Sequence, residues 1–160
     1  MAMVLANSKI DDNDIERVIP LLQTGAGIAP TKRFTDDADV VSAIIALQIA
    51  SGVTPVSRFI DRQDWTKSLI AVQIKLNSRT CTITIASPAV VSLATHGFTA
   101  GTAIRFQSTG ALPTGLTIGP TYYVSATGLA AGTFQVSLTR GGASVNTTGS
   151  QSGVHVVYPV

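Results

Sequence analysis

Residue types that carry most enzyme chemistry are scarce in this chain of 160 residues. There is one cysteine, Cys81, and two histidines, His96 and His155, while all nine acidic residues lie at or before Asp64. The second half offers no carboxylate to orient a histidine, which excludes a Ser-His-Asp set built within it. It also lacks the paired carboxylates of glycoside hydrolysis. A Cys81–histidine pair is the remaining nucleophilic alternative. We expect a non-enzymatic protein with no catalytic residues, no cofactor and no metal.

The sequence around the cysteine and the first histidine favours structural roles for both. In T-C-T-I-T-I, the side chains of Cys81, Ile83 and Ile85 alternate with threonines, which is typical of a half-buried strand. We therefore expect a buried thiol. His96 directly precedes Gly97, and we expect its ring to anchor a turn by a hydrogen bond to the backbone. Two histidines without a nearby third ligand do not make a zinc site.

The acidic residues at 36–39 have two interpretations, a metal site or the start of a helix. Carboxylates are favourable in the first turn of a helix because they complement its dipole, and this is far commoner than ligation. Apolar residues then recur at helical spacing, and Gly52 suits the left-handed position that ends a helix. The pattern predicts a helix over residues 36–50, capped by Thr35 or Asp36. It is so apolar that it should pack on two sides, against the chain or a neighbouring subunit.

The segments before and after this helix are less clear. Residues 11–19 predict a short helix that Pro20 ends or kinks. The following G-A-G lacks the Lys-Ser/Thr of a phosphate loop. Residues 56–67 fit an exposed strand or a short helix, and residues 68–76, S-L-I-A-V-Q-I-K-L, predict a strand.

A candidate interface lies within the uncertain segment 53–66. Arginine and tryptophan concentrate at interface hot spots, and four residues there supply these types and a neighbouring aromatic ring: Arg58, Phe59, Arg62 and Trp65. A solvated segment anchored by Trp65 is an equally open interpretation.

The second half predicts a β domain. Short β-prone runs alternate with glycine-rich turns every 8–12 residues, which indicates a small antiparallel barrel or sandwich. The expected fold class is mainly β with a small α-helical N-terminal part. Residues 1–79 would be a mixed α/β attachment region and residues 80–160 an antiparallel β module. The residues expected to be core-facing or half-buried in its strands are Phe98, Ile104, Phe106, Tyr122, Val124, Phe134, Val136 and Leu138.

Charge is low and unevenly distributed. Only 12% of residues are charged, against about 25% in ordinary globular proteins. Between residues 91 and 160 only Arg105 and Arg140 carry charge, too few to neutralise a row of phosphates. No apolar run approaches the ~18–20 residues that span a bilayer. We expect neither a nucleic-acid nor a membrane partner. A weakly charged surface invites association, so burial in an assembly is favoured over adaptation to harsh surroundings.

Residues 91–158 resemble a β module of tailed-bacteriophage virion proteins. The matching residues lie mostly at turns and strand starts: His96-Gly97-Phe98, Gly101, Arg105-Phe106, Leu112-Pro113-Thr114-Gly115-Leu116, Gly119, Thr121-Tyr122-Tyr123-Val124, Phe134-Gln135-Val136-Ser137 and Gly141-Gly142-Ala143. Thr102 stands where such modules often have an acidic residue. The resemblance covers less than half of the chain and brings no catalytic residues with it.

The resemblance implies a structural protein of a phage virion. Because the chain is short and holds one copy of the module, the expected role is a capsid decoration or cement protein. A tail, neck or baseplate component, or a tail-associated module that binds host glycans, is the alternative. The expected partners are further copies of itself, with a trimer favoured by analogy with cement proteins, and the major capsid protein or other virion proteins. It would be made in the host cytoplasm and carried in the virion.

Overall fold

The computed structural model describes residues 12–31, 34, 36–56, 59 and 62–160 of the chain. It forms two compact units that divide between Asn77 and Ser78, close to the boundary predicted at residues 79 and 80. Within these described residues, three helices lie in the first unit and seven strands in the second. None of the helices in the described ranges is long and apolar enough to cross a membrane.

The first unit is built from three helices that each touch the other two. They are α1 (Asp12–Gly25), α2 (Asp37–Ser51) and α3 (Arg62–Asn77). Each helix contributes buried side chains to one apolar core: Ile15, Val18, Ile19 and Leu22 from α1, Val40, Ala43, Ile44 and Leu47 from α2, and Trp65, Leu69 and Val72 from α3.

The predicted helix is confirmed as α2, and both of its ends follow from local sequence. Asp36 is the N-cap, and its Oδ1 accepts a hydrogen bond from the Asp39 backbone N–H at 3.0 Å. This satisfies one of the backbone donors that a helix start leaves without a partner. Gly52 ends the helix with a φ of 69°, in the left-handed region that glycine enters at little cost.

Two other expectations for this unit need comparison with the structure. The helix expected over residues 11–19 forms as α1, and it continues through Pro20 to Gly25 instead of ending there. The strand predicted over residues 68–76 is part of α3. There Leu69 and Val72 are buried, three residues apart on one helix face. The described part of this unit is therefore helical, with none of the strand content of a mixed α/β region.

A tandem repeat of 25 residues underlies the three helices, and it was not among the sequence expectations. Residues 11–35 and 36–60 are identical at ten of 25 aligned positions, and residues 61–77 continue the register. The ten identical pairs are Asp11/Asp36, Asp12/Asp37, Asp14/Asp39, Ile19/Ile44, Leu22/Leu47, Gln23/Gln48, Gly27/Gly52, Pro30/Pro55, Arg33/Arg58 and Phe34/Phe59. Aligned positions are buried together, as at Ile19, Ile44 and Leu69. The helices are thus three versions of one sequence unit.

The second unit is a seven-stranded antiparallel sheet. Its strands are β1 (Arg79–Ile83), β2 (Val91–Ser92), β3 (Ala103–Ser108), β4 (Tyr122–Val124), β5 (Thr133–Phe134), β6 (Val136–Ser137) and β7 (His155–Pro159). They are ordered β5-β2-β1-β7-β3-β4-β6. The end strands β5 and β6 are separated in the chain by Gln135 alone, so a continuous segment joins both ends of the sheet. The sheet is nearly closed and barrel-like, which confirms the predicted fold class and leaves little free strand edge.

The barrel encloses its own apolar core. Phe106, Phe134 and Val91 are fully buried there, and Tyr122 and Val124 are 1% exposed. Two side chains expected to face the core lie outside it. Leu138 follows the last residue of β6 and is 61% exposed, and Ile85 lies beyond the end of β1 and is 46% exposed.

Candidate functional site

His96 is held at both ring nitrogens by the backbone, as the sequence predicts. The Phe98 N–H donates to His96 Nδ1 at 2.9 Å, so the ring donates from Nε2 to the carbonyl oxygen of Ala130 at 2.7 Å. The ring packs against Phe98 and Phe134, with centroids 5.3 and 5.0 Å away, and is 7% exposed. These bonds occupy both positions at which a histidine takes up or releases a proton in catalysis. In this structure the ring joins the 96–98 turn to the chain at residue 130.

His155 joins three segments of the barrel. Ser108 Oγ lies 2.9 Å from His155 Nδ1, and His155 Nε2 lies 3.1 Å from Gln151 Oε1. Gln151 Nε2 donates to the Ile83 carbonyl at 2.7 Å, which turns Oε1 toward the ring. The ring therefore donates from Nε2 and accepts the Ser108 hydroxyl proton at Nδ1.

Ser108, His155 and Gln151 are hydrogen-bonded in the same order as the nucleophile, the general base and the orienting group of a catalytic triad. Here the third member, Gln151, is a neutral amide and adds no charge to stabilise an imidazolium. Ser108 Oγ also accepts a hydrogen bond from the Gly110 N–H at 3.1 Å. Its contacts tie the end of β3 to the first residue of β7 and to the turn that follows β3.

Cys81 lies in the barrel core and is 5% exposed. Burial raises the pKa of its thiol from 9.0 to about 12, because a thiolate there would lose its hydration. The reactive form of cysteine is the thiolate, so the thiol is poorly suited to nucleophilic attack at neutral pH. His155 is its cross-strand partner on β7.

The acidic residues do not form a metal cluster in the described part of the chain. No group of three or more His, Cys, Asp or Glu side chains converges there as metal ligands do. Asp36 instead caps α2 with a carboxylate oxygen. This agrees with the interpretation of residues 36–39 as the start of a helix.

The predicted interface residues are placed unequally. Arg58 lies outside the described residues, and Arg62 is the first residue of α3. Phe59 packs, partly buried, against the helical core to which Trp65 belongs. Trp65 is only 7% exposed, so most of its indole is used within the helical unit. The interface at residues 58–65 stays a prediction, but replacement of Trp65 would disturb the core first.

A glycan-binding platform would need exposed aromatic rings, and the four candidates for it offer little open ring surface: Trp65, Tyr122, Tyr123 and Tyr158. Trp65 and Tyr158 are each 7% exposed and Tyr122 is 1% exposed. The Tyr122 hydroxyl also accepts a hydrogen bond from the Thr117 N–H at 2.9 Å. The Arg140 guanidinium lies over the ring of Tyr123, 5.6 Å from its centroid. Stacking of a sugar on these rings would require their exposure.

An open cleft of about 440 Å³ lies in the barrel unit and carries only uncharged groups. Ser144 Oγ donates to Gln135 Oε1 at 2.8 Å and lies 3.3 Å from Ser125 Oγ. These side chains therefore bond to one another. The cleft is lined by Pro88, Ser125, Ala126, Thr127, Gln135, Gly141, Gly142, Ala143, Ser144 and Asn146.

The surface of the barrel unit has apolar residues and almost no charge. Residues 78–160 contain Arg79, Arg105 and Arg140 and no acidic residue. Arg79 donates to the carbonyls of Ala94 and Thr95, and Arg105 donates to Thr121 Oγ1. The large apolar side chains exposed on this unit are Ile85, Ile118, Leu138, Val154 and Val160, between 41% and 61% exposed.

Comparison with known proteins finds no matching family model, no matching curated protein and no matching solved structure. The fold and the contacts described above therefore carry the functional argument.

Proposed function

We propose that this chain is a structural protein of a bacteriophage virion that acts by packing against other protein surfaces. The observation that carries the proposal is the barrel unit's surface, which combines five exposed large apolar side chains with three arginines and no acidic residue. An exposed surface with so few charges favours association, and the assignment to a virion rests on the resemblance of residues 91–158. The side chains of His96, His155 and Cys81 are buried in the barrel unit, and both histidine rings are hydrogen-bonded within it.

Within this class we propose a capsid decoration or cement protein. Such a role requires a small unit that survives on a particle and binds by surface contact. A nearly closed sheet suits this because it leaves few backbone groups free for unwanted strand pairing. A tail, neck or baseplate component fits the same surface. The glycan-binding alternative is less favoured, because three of its four candidate rings are buried and the fourth lies under Arg140.

The test is to locate the protein in particles. Virions of the phage whose genome encodes this chain would be purified, and their heads and tails separated. The protein would then be quantified in each fraction by mass spectrometry. A decoration protein is expected in heads in a fixed ratio to the major capsid protein. A fixed ratio in tails would instead support the tail alternative. Absence from intact particles would overturn the proposal.

A further inference from the structure

The repeat makes α1 and α3 internal controls for the outer face of α2. At one aligned outward position α1 has Arg17, which is exposed, and α3 has Lys67, whose side chain is 72% exposed, but α2 has Ser42. At a second aligned position α3 has the exposed Lys75, whereas α2 has Ala50. The middle copy thus lacks the charges that its two sister helices present to solvent.

An unbroken uncharged face results on α2. The chain has no charged residue from Val40 to Ser57. Ile49 is 64% exposed on this face. Ile45 lies half-buried one turn before it, and Val41, which also packs against the helical core, lies half-buried two turns before it. Beside this apolar ridge runs a row of small exposed residues, Ala38, Ser42, Ala46 and Ala50. A helix that is apolar all round needs cover on both sides, and the helical core covers only one.

We propose that the outer face of α2 binds the same face of a second copy of this chain, with the two helices antiparallel. The inference rests on the assembly role proposed above and names its self-association surface. Ridges at four-residue spacing pack into grooves at the same spacing. The ridge of Val41, Ile45 and Ile49 can therefore enter the partner's groove at Ser42 and Ala46. One face supplies both ridge and groove, as a two-fold contact requires.

Charge selects the antiparallel orientation. Asp36, Asp37 and Asp39 crowd the N-terminal end of α2, and the first two are exposed. A parallel pair would bring the two acidic ends together, whereas an antiparallel pair places them at opposite ends, about 20 Å apart for a helix of this length. The antiparallel pair also opposes the two helix dipoles.

The predicted contact is modest in size. A pair of four-turn helices buries less than the ~1,200 Å² that marks stable protein interfaces. We therefore expect a reversible dimer with a dissociation constant on the order of micromolar, strengthened where a particle holds many copies in place.

The first experiment introduces positive charge at two exposed positions of α2. In the full chain, Ser42→Arg with Ile49→Lys replaces exposed side chains and keeps Val41, which also packs against the helical core. Arg17 is the residue aligned with Ser42 in the first repeat. Sedimentation velocity over a concentration series is expected to show a dimerisation constant at least tenfold weaker, with unchanged circular dichroism. The control is Leu21→Glu, which removes an apolar side chain 53% exposed on α1 and should leave dimerisation unchanged. Equal association of wild type and double variant would overturn the proposal.

The second experiment reads the orientation by disulfide trapping. The midpoint of α2 is Ile44, so an antiparallel pair sets residue 42 of one copy opposite residue 46 of the other. A mixture of Ser42→Cys and Ala46→Cys proteins should then form mixed disulfides faster than either forms with itself. A parallel pair gives the reverse order, which would refute the proposed geometry. Wild type, with Cys81 buried, serves as the uncross-linked control.

The outcomes separate this inference from the proposed function. A protein found in virions that stays monomeric at millimolar concentration keeps its structural role and refutes the α2 contact. A dimer lost on the α2 substitutions, from a protein absent from virions, keeps the contact and refutes the virion role.

Discussion

The buried side chain of Gln48 holds the backbone of Val56 in place. Gln48 is 1% exposed, and its Oε1 accepts a hydrogen bond from the Val56 N–H at 3.3 Å. The first repeat has the same contact at aligned residues, where Gln23 Oε1 accepts from the Thr31 N–H at 2.7 Å. In each case a glutamine near the end of a helix fixes the loop eight residues further on. A buried amide conserved between repeats thus acts as a loop clamp.

We predict that Gln48→Leu destabilises the helical unit by about 1–3 kcal/mol, because the leucine fills a similar volume and leaves the Val56 N–H without its acceptor. Urea unfolding followed by the helical circular dichroism signal measures the change. Gln107→Leu, at an exposed position of β3, is the control and should change that transition by less than about 0.5 kcal/mol. Equal stability of wild type and Gln48→Leu would show that the hydrogen bond from Val56 to Gln48 does not stabilise the helical unit.

A second prediction concerns the helix end at Gly52. A Cβ at this position would meet no atom within 4 Å, but φ is +69°, so Gly52→Ala tests backbone conformation alone. We expect a loss of about 1–2 kcal/mol from the cost of the left-handed conformation.

The control for this substitution is Gly132→Ala. Gly132 also has open space around its Cβ position but no positive φ, so alanine there should be neutral or slightly stabilising. Equal losses at the two glycines would indicate that φ is not the cause.

The sequence predicts the parts of this fold that local chemistry decides. The Asp36 cap and the glycine at residue 52 define α2 within a few residues of each end, so neighbouring residues were sufficient. The barrel likewise follows from alternation and turns along residues 80–160. Which strands pair, and that the segment through Gln135 closes the sheet, depends on contacts distant in sequence and does not follow from alternation.

The strand prediction for residues 68–76 is wrong because the residues of this part of α3 favour both structures. Ile70, Val72 and Ile74 are β-branched and alternate with other residues, which is a strand signal. Packing of Trp65, Leu69 and Val72 into the shared core overrides it. Alignment with the second repeat would have revealed the helix.

The repeat also bears on the candidate interface. Trp65 has a residue type common at interface hot spots, but it aligns with the core positions Ile15 and Val40. The outer face of α2 is recognised only by comparison with its sister helices.

A third prediction concerns Cys81 and pH. Its thiol should not react with a disulfide reagent at pH 8 in the folded protein and should react fully in urea, because burial keeps its pKa near 12. In the unfolded chain the thiol ionises near pH 9, while the folded chain keeps the proton to higher pH. The unfolded state therefore binds fewer protons between about pH 9 and 12, and stability falls as pH rises through that window.

Comparison with Cys81→Ala isolates this effect from tyrosine and lysine titration. The stability difference between wild type and variant should shrink above pH 9, by at most about 1.4 kcal/mol for each pH unit. A difference that stays constant from pH 8 to 11, or rapid reaction of the folded thiol, would contradict the buried, protonated state.

The last prediction separates the two contributions of His96, its hydrogen bonds and its ring packing. His96→Phe keeps an aromatic ring beside Phe98 and Phe134 but leaves the Phe98 N–H and the Ala130 carbonyl without their partner. His96→Asn loses the ring, but its side-chain oxygen can accept from the N–H two residues on, as in an Asx-turn. We expect His96→Phe to lose about 2–6 kcal/mol, since two backbone groups lose their partner at about 1–3 kcal/mol each. His96→Asn should lose less than His96→Phe, with both measured by urea unfolding of the full chain. If His96→Asn had the lower free energy of unfolding of the two variants, ring packing rather than hydrogen bonding would hold the turn. Neither variant is expected to alter dimerisation, because the proposed contact lies on α2.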